Sequence, residues 1–257
     1  MGKEMKIYFI GAGPGDPELL TLKAARIIKQ ADIVIYAGSL VNKDILKFAK
    51  RGVVFYDSAS MHLEDILAVL SGAKSTKKII ARLHSGDPSI YGAIQEQMDW
   101  CKKQGIRFEV IPGVSSFQAA AASLKREFTL PAISQTVILT RVSGKTRVPA
   151  KEDLRQLAKI RATMIIFLSI QEIDRVVEKL RQGYRIDTPA AVIEKVSYPD
   201  ERKIFGTLRD IAKKVKEAKI KRRALIVIGD ALKGRYQKSK LYDKNFEHGF
   251  RKKETRR

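Results

Sequence analysis

Apolar positions come in short unbroken runs separated by stretches in which they recur every three or four residues. Ile7 to Ile10, Ile33 to Tyr36, Val53 to Tyr56, Lys78 to Leu83 and Phe108 to Ile111 are runs of the first kind and predict buried strands. Glu18 to Ile28, His62 to Leu70, Ala93 to Lys103 and Phe117 to Leu124 have helical spacing. In the stretch from His62, for example, Leu63, Ile66, Leu67 and Leu70 share one face. The first half therefore alternates strand and helix, the pattern of a parallel α/β layer.

The second half repeats this with variations. Strand Thr136 to Thr140, helix Lys151 to Ile160, strand Thr163 to Ser169 and helix Gln171 to Arg181 follow in order. Ala190 to Val196 and Lys203 to Thr207 read as an antiparallel pair around Tyr198-Pro199-Asp200-Glu201. Helix Leu208 to Ala218 and strand Ala224 to Ile228 close the pattern. The expected division is an N-terminal domain over residues 1–124, a linker over 125–135, a C-terminal domain over 136–233 and a basic tail over 234–257. The tail is charged and poorly periodic, and reads as helical in part or as disordered.

Three strands of the first half run into loops of Gly, Pro, Asp and Ser. They are Gly11-Ala12-Gly13-Pro14-Gly15-Asp16, Ser85-Gly86-Asp87-Pro88-Ser89-Ile90-Tyr91-Gly92 and Pro112-Gly113-Val114-Ser115-Ser116. Loops of this kind at the carboxyl edge of an open sheet are where ligands bind. A dinucleotide fingerprint is excluded in the first, because the position of its third glycine holds Asp16. Asp16 is expected to cap a helix with Pro17 as its first residue. A carboxylate there would repel a pyrophosphate and suits a ligand with positive charge or hydroxyls, such as a nucleoside sulfonium. The alternative is a tight turn with no ligand. Asp87 likewise reads either as a ligand contact or as a cap before Pro88.

Composition narrows the classes. The chain has 257 residues, 44% of them hydrophobic, enough for a packed core in one or two domains. Its one cysteine, Cys101, excludes an intrachain disulfide framework, and with no signal-peptide pattern the expectation is a cytoplasmic setting. No apolar run reaches the ~18 residues of a membrane span. Fifty Lys and Arg against 28 Asp and Glu give a net charge of +22. Such a balance suits a nucleic acid, a polyanionic small substrate or a merely solvated basic surface. The basic residues are spread along the chain with no nucleic-acid-binding signature, so a nucleic-acid partner ranks last.

Ser143-Gly144-Lys145-Thr146 mimics the end of a phosphate-binding loop, but Leu139 stands where that motif needs glycine. Arg141, Lys145 and Arg147 instead read as contacts for an acidic substrate or as a solvated basic loop. The histidines and Cys101 lack metal-ligand spacing, so no metal site is expected.

Taken together, the three loops resemble those of the tetrapyrrole methylases, which show G-x-G-P-G-D, G-D-P-x-x-(Y/F)-G and P-G-(V/I)-(S/T). The likeness runs from about Met5 to about Leu232. Tyr36 to Val41, Arg82 to Pro88, Tyr91 to Gln97 and Ser134 to Arg141 resemble the branch that methylates a ring carbon of a corrin precursor. The resemblance implies two α/β domains with mixed sheets and a cleft between them for S-adenosyl-L-methionine (SAM), which leaves as S-adenosyl-L-homocysteine. It also implies a homodimer and a tetrapyrrole substrate, with no nucleic acid and no membrane.

Carried onto this chain, the family's SAM contacts fall on Pro14, Ser85, Gly86, Asp87, Ile90, Ser115, Ser116, Leu168 and Val196. The last two replace the Met and Gly of relatives, a change that backbone contacts would survive. Asp16, Tyr91 and Glu96 are candidates for handling a proton on the macrocycle, and the sequence does not decide among them. Tyr91 could equally be a core aromatic. His84, Arg141, Lys145 and Arg147 are the candidate substrate contacts, with His84 equally able to pack as a core residue.

Overall fold

A computed structural model describes residues 5–74, 77–144, 146–234, 236–243 and 245–252. The chain forms two compact units. The first is Met1–Ser123 with Glu194–Arg202, and the second is Leu124–Ile193 with Lys203–Arg257.

In the first unit, β1 (Lys6–Gly11), β2 (Ile33–Tyr36), β3 (Val54–Asp57), β4 (Ile79–His84) and β5 (Arg107–Ile111) form one sheet in the order β3-β2-β4-β1-β5. Its described ladders are all parallel. Every strand therefore ends at the same edge. Ile7, Phe9, Ile35 and Ile80 point to one face, and Ile10, Val34, Ala81 and Leu83 to the other. The central strands β1, β2 and β4 are largely apolar without alternation because both their faces are buried, while the edge strands β3 and β5 are mostly exposed or half-buried. Helices α1 (Leu22–Gln30), α2 (Leu63–Gly72) and α3 (Gln95–Lys103) connect strands of this sheet, and α4 (Ser116–Leu124) follows β5.

Two helix starts differ from the sequence expectation, each for a local reason. Asp16 does act as a cap, accepting from the Glu18 N–H at 2.9 Å, but of a single 3-10 turn, Pro17–Leu19. Leu20 and Thr21 then run extended, and Thr21 caps α1 by accepting from the Ala24 N–H at 3.2 Å. Likewise α3 begins at Gln95 rather than Ala93, because Tyr91 and Ala93 hold left-handed backbone and cannot join a right-handed helix.

The second unit has the sheet order β6-β7-β10-β8-β9, from β6 (Val137–Arg141), β7 (Thr163–Phe167), β8 (Pro189–Glu194), β9 (Arg202–Thr207) and β10 (Ala224–Ile228). It is mixed: β6 pairs parallel with β7, and β10 antiparallel with β7. Strand β7 stops at Phe167, short of the expected Ser169, because Leu168 is left-handed at φ 53°. Helix α5 (Leu154–Ala158) is shorter than expected, since Asp153 caps it by accepting from the Arg155 N–H. Helices α6 (Ile173–Leu180) and α7 (Ile211–Glu217) complete the core. Residues 125–135 pack into this unit: Phe128 and Leu130 are buried, and the Thr163 hydroxyl donates to the Phe128 carbonyl at 2.8 Å. In the tail, Lys240–Tyr242 forms a 3-10 turn, and the Arg251 guanidinium donates to the carbonyls of Leu241, Asp243 and Phe246.

Candidate functional site

Because β1, β4 and β5 are parallel neighbours, their loops emerge side by side. Gly13 and Gly86 exchange two backbone hydrogen bonds, at 3.2 and 2.7 Å, and the Ala12 N–H donates to the His84 carbonyl at 2.8 Å. The third loop joins through Asp87, whose carboxylate accepts from the Gly113 N–H at 2.9 Å. Space here admits only glycine. A Cβ on Gly11 would lie 2.5 Å from the Gly113 backbone and 2.7 Å from the Gly86 carbonyl oxygen, and one on Gly113 would meet the same oxygen. The three loops predicted from sequence thus form one polar surface of closely packed backbone.

Asp87 also accepts from the Ser89 N–H and hydroxyl. Its partial burial pushes the carboxyl pKa up, but the Ser89 and Gly113 donors outweigh this and hold it below 3.8, so it stays ionised. No helix begins at Pro88, so Asp87 is not a helix cap as one reading had it; it closes a turn onto Ser89, ties two loops together and remains an anion at their junction. Pro14 and Ser115 are buried, while Ser85, Ile90 and Ser116 are half-buried.

The turn between β8 and β9 reaches this surface as part of the first unit. The Asp16 N–H donates to the Ser197 hydroxyl oxygen at 2.9 Å, and the Tyr198 hydroxyl donates to the Leu40 carbonyl at 3.1 Å. The Tyr198 ring covers Gly15, where a Cβ would collide with it, and the same Cβ would stand 3.0 Å from the Val196 carbonyl oxygen. Val196 is thereby brought beside the first glycine loop. Asn42 adds a bond from its side-chain amide to the Gly15 carbonyl at 2.8 Å. Sequence reading missed Asn42, Ser197 and Tyr198. The last two lay in what looked like a plain hairpin turn, and only long-range contact gives them a place here.

His84 ends β4 and is buried at 6% exposure. Burial first, and the Arg82 cation second, push its pKa down to about 3, against the pull of the Gly92 backbone. The ring is neutral at any ordinary pH, and its Nε2 has no hydrogen-bond partner among the described residues. Tyr91 is 45% exposed, so it is no core aromatic, and Glu96 is exposed in the first turn of α3. Asp16 is half-buried beside Ser197.

In the second unit, Leu168 is 71% exposed on its left-handed turn. The turn is fastened by Ser169, whose hydroxyl donates to the Phe167 carbonyl at 2.6 Å and accepts from the Val142 N–H at 2.9 Å. Arg141 folds onto its own loop, donating to the Thr146 and Arg147 carbonyls at 3.1 and 2.9 Å. Arg147 is exposed, and Lys145 lies outside the described residues.

The donor set suits a cationic nucleoside. Crowded glycine loops offer backbone donors and acceptors, and the carboxylates of Asp16 and Asp87 sit on these loops, where a bound phosphate would be repelled. No group of three or more His, Cys, Asp or Glu that could hold a metal occurs among the described residues.

An open parallel sheet whose loops meet at one edge is the architecture of an α/β unit of the kind that carries nucleotide-type ligands. The chain belongs to the tetrapyrrole (corrin/porphyrin) methylases, whose family profile matches residues 6–212. It is 54% identical over 254 residues to the cobalt-precorrin-4 C(11)-methyltransferase of Methanocaldococcus jannaschii, covering 98% of each chain. It is 44% identical over 248 residues to the precorrin-4 C(11)-methyltransferase of Pseudomonas aeruginosa, covering 96% of this chain and 99% of that one. Among solved structures it is similar to a cobalt precorrin-4 methyltransferase, described as a cobalamin biosynthetic enzyme. That match has a TM-score of 0.86 and 42% identity, covering 89% of this chain and 96% of the other. A uroporphyrin-III C-methyltransferase from Thermus thermophilus, solved with S-adenosyl homocysteine, matches with a TM-score of 0.75 and 28% identity, covering 89% and 99%.

Proposed function

We propose that this chain transfers a methyl group from SAM to C11 of cobalt-precorrin-4, or of precorrin-4, giving cobalt-precorrin-5A or precorrin-5 in cobalamin biosynthesis. The observation that carries this reading is the end-to-end likeness, at 54% identity, to a protein of that activity. The site chemistry supports it, because the loops offer glycine backbone and the ionised carboxylate of Asp87 rather than a cationic phosphate ligand.

Bound SAM supplies a methyl group on a positively charged sulfur, already activated for in-line displacement. What remains for the protein is alignment and exclusion of water. Backbone groups of Pro14, Ser85, Gly86, Ile90, Ser115 and Ser116, with Leu168 and Val196, would hold the cofactor, and Asp87 would accept from its amine or ribose. Asp16, Tyr91 and Glu96 are the groups available for a proton on the macrocycle. His84, neutral and with its Nε2 closed off from solvent, is not a base, since its pKa lies far below neutrality. Arg141, Lys145 and Arg147 would meet the peripheral carboxylates of the macrocycle. No helix among the described residues is long and apolar enough to cross a membrane. We infer a cytoplasmic homodimer from the family likeness and the single cysteine.

The test is incubation with SAM and precorrin-4, with and without cobalt, read by mass spectrometry and NMR. One added methyl group at C11 is the expected outcome. A methyl group at another carbon would make the chain a sister methylase of the same pathway, and no product would remove the assignment.

A further inference from the structure

Tyr91 and Ala93 hold left-handed backbone, at φ 57° and 48°, on either side of Gly92. Side chains of L-residues resist that conformation, and a turn with two such residues persists only where its surroundings over-determine it. Those surroundings are a buried chain of hydrogen bonds. The Gln97 side-chain amide donates to the Ala93 carbonyl at 3.1 Å, and its oxygen accepts from Arg82 Nε at 3.4 Å. Arg82 Nη1 donates to the Ser58 hydroxyl oxygen at 2.9 Å, and that hydroxyl donates to the Tyr36 carbonyl at 3.1 Å. The chain thus runs from the end of β2, across β4, to the strained turn.

Arg82 and Gln97 are 6% and 3% exposed. Burial lowers the Arg82 pKa to about 10, and among the described residues no carboxylate offsets this. A buried cation without a counter-ion is costly, and an apolar side chain would serve packing alone better. The polar pair therefore calls for a reason other than stability, and the strained turn at its end supplies one.

We propose that Gln97, held in place by Arg82, is the positioning residue for the Tyr91–Ala93 turn, and through it sets the geometry for methyl transfer. The catalytic half of this statement rests on the reaction proposed above. The structural half does not.

The discriminating variant is Gln97→Met, which keeps the bulk and loses both bonds. Its kcat should fall at least tenfold while the Kd for SAM stays within twofold. Amide exchange over residues 91–94 should quicken about tenfold, with β7 and β10 unchanged. Ser58→Ala, which leaves Gln97 in place and removes only the far acceptor of Arg82, should move both readouts the same way by about threefold. It serves as the test if Gln97→Met fails to fold. Unchanged exchange and unchanged kcat in a folded variant would overturn the proposal. So would a fall in kcat accompanied by equal loss of SAM affinity and faster exchange throughout, since that is general destabilisation. If the wild-type protein makes no methylated product, the reaction is wrong, and the exchange measurement alone still decides whether the brace exists.

Discussion

Both units are built on five-stranded sheets, yet they spend their buried polar groups differently. In the core of the second unit three of them are closed off within the scaffold, and the buried Nε that lacks a partner there among the described residues, that of Arg251, lies in the tail. Lys179 pairs with Asp153, the Thr163 hydroxyl donates to Phe128, and the Tyr184 hydroxyl donates to the Ala162 carbonyl at 2.5 Å. The Asp153 carboxyl is held well below its usual range: the Lys179 and Arg155 donors overcome the burial that pushes it up. In the first unit the polar groups gather at the strand ends. His84 and Ser115 are buried there with Arg82 just inside β4, Asp87 bridges two loops, and His84 Nε2 has no partner among the described residues. The difference follows from topology. A wholly parallel sheet delivers its loops to one edge, where they can be joined, while a mixed sheet sends neighbouring strand ends in opposite directions.

The sharpest way to break this contrast is a methyl group. In Gly113→Ala the new Cβ meets the Gly86 carbonyl and the Gly11 backbone. Backbone must shift, so SAM affinity should fall a hundredfold or more, about 2.8 kcal/mol. Gly144→Ala, in the second unit's basic loop, meets nothing within 4 Å and should leave affinity unchanged. Calorimetry of the two variants checks both; equal affinities would mean that the loop junction is not the cofactor site.

The next largest effect should come from Asp87→Ala, weakening SAM binding by ~1–3 kcal/mol through loss of a charged acceptor. The same carboxyl has a pH signature. Its pKa is lowered on folding, so its contribution to stability is present above the ordinary value of 3.8 and is lost as pH falls through the lower folded value. Thermal melts of the wild type and Asp87→Asn should therefore differ most above pH 4 and converge in stronger acid. A constant gap across that range would mean the carboxylate is not held by its Ser89 and Gly113 donors.

The smallest effect tests whether the second unit contributes to recognition at all. Lys145→Ala with Arg147→Ala should raise the KM for the tetrapyrrole about tenfold, with the Kd for SAM within twofold. Added salt should raise the wild-type KM more steeply than that of the double variant, since fewer charge pairs remain to be screened. Identical KM values would leave the segment as a solvated basic loop. Arg141 is left unchanged in this test because its guanidinium also holds the loop, through the Thr146 and Arg147 carbonyls.

Much of this protein was legible in its residues alone. Uninterrupted apolar runs marked the strands of the parallel sheet, because strands buried on both faces carry no alternation. The Gly, Pro and Asp clusters marked the three loops and the family, because only glycine fits where backbones touch. Those signals are local, and local chemistry is what a sequence records. The ends of elements were harder: Leu20 and Thr21 interrupt a helical pattern, and Leu168 stops an apolar strand, through backbone angles that side-chain periodicity does not encode. The rest was decided in three dimensions. Gly13 meets Gly86 and Asp87 meets Gly113 only because β4 and β5 flank β1. Ser197 joins the first loop at Asp16 across 181 residues, and Tyr198 bonds to Leu40 across 158. The neutral state of His84 and the brace from Arg82 to Gln97 depend on burial and on partners distant in the chain. Charge state and strain are properties of an environment, and the environment exists only once the chain has folded.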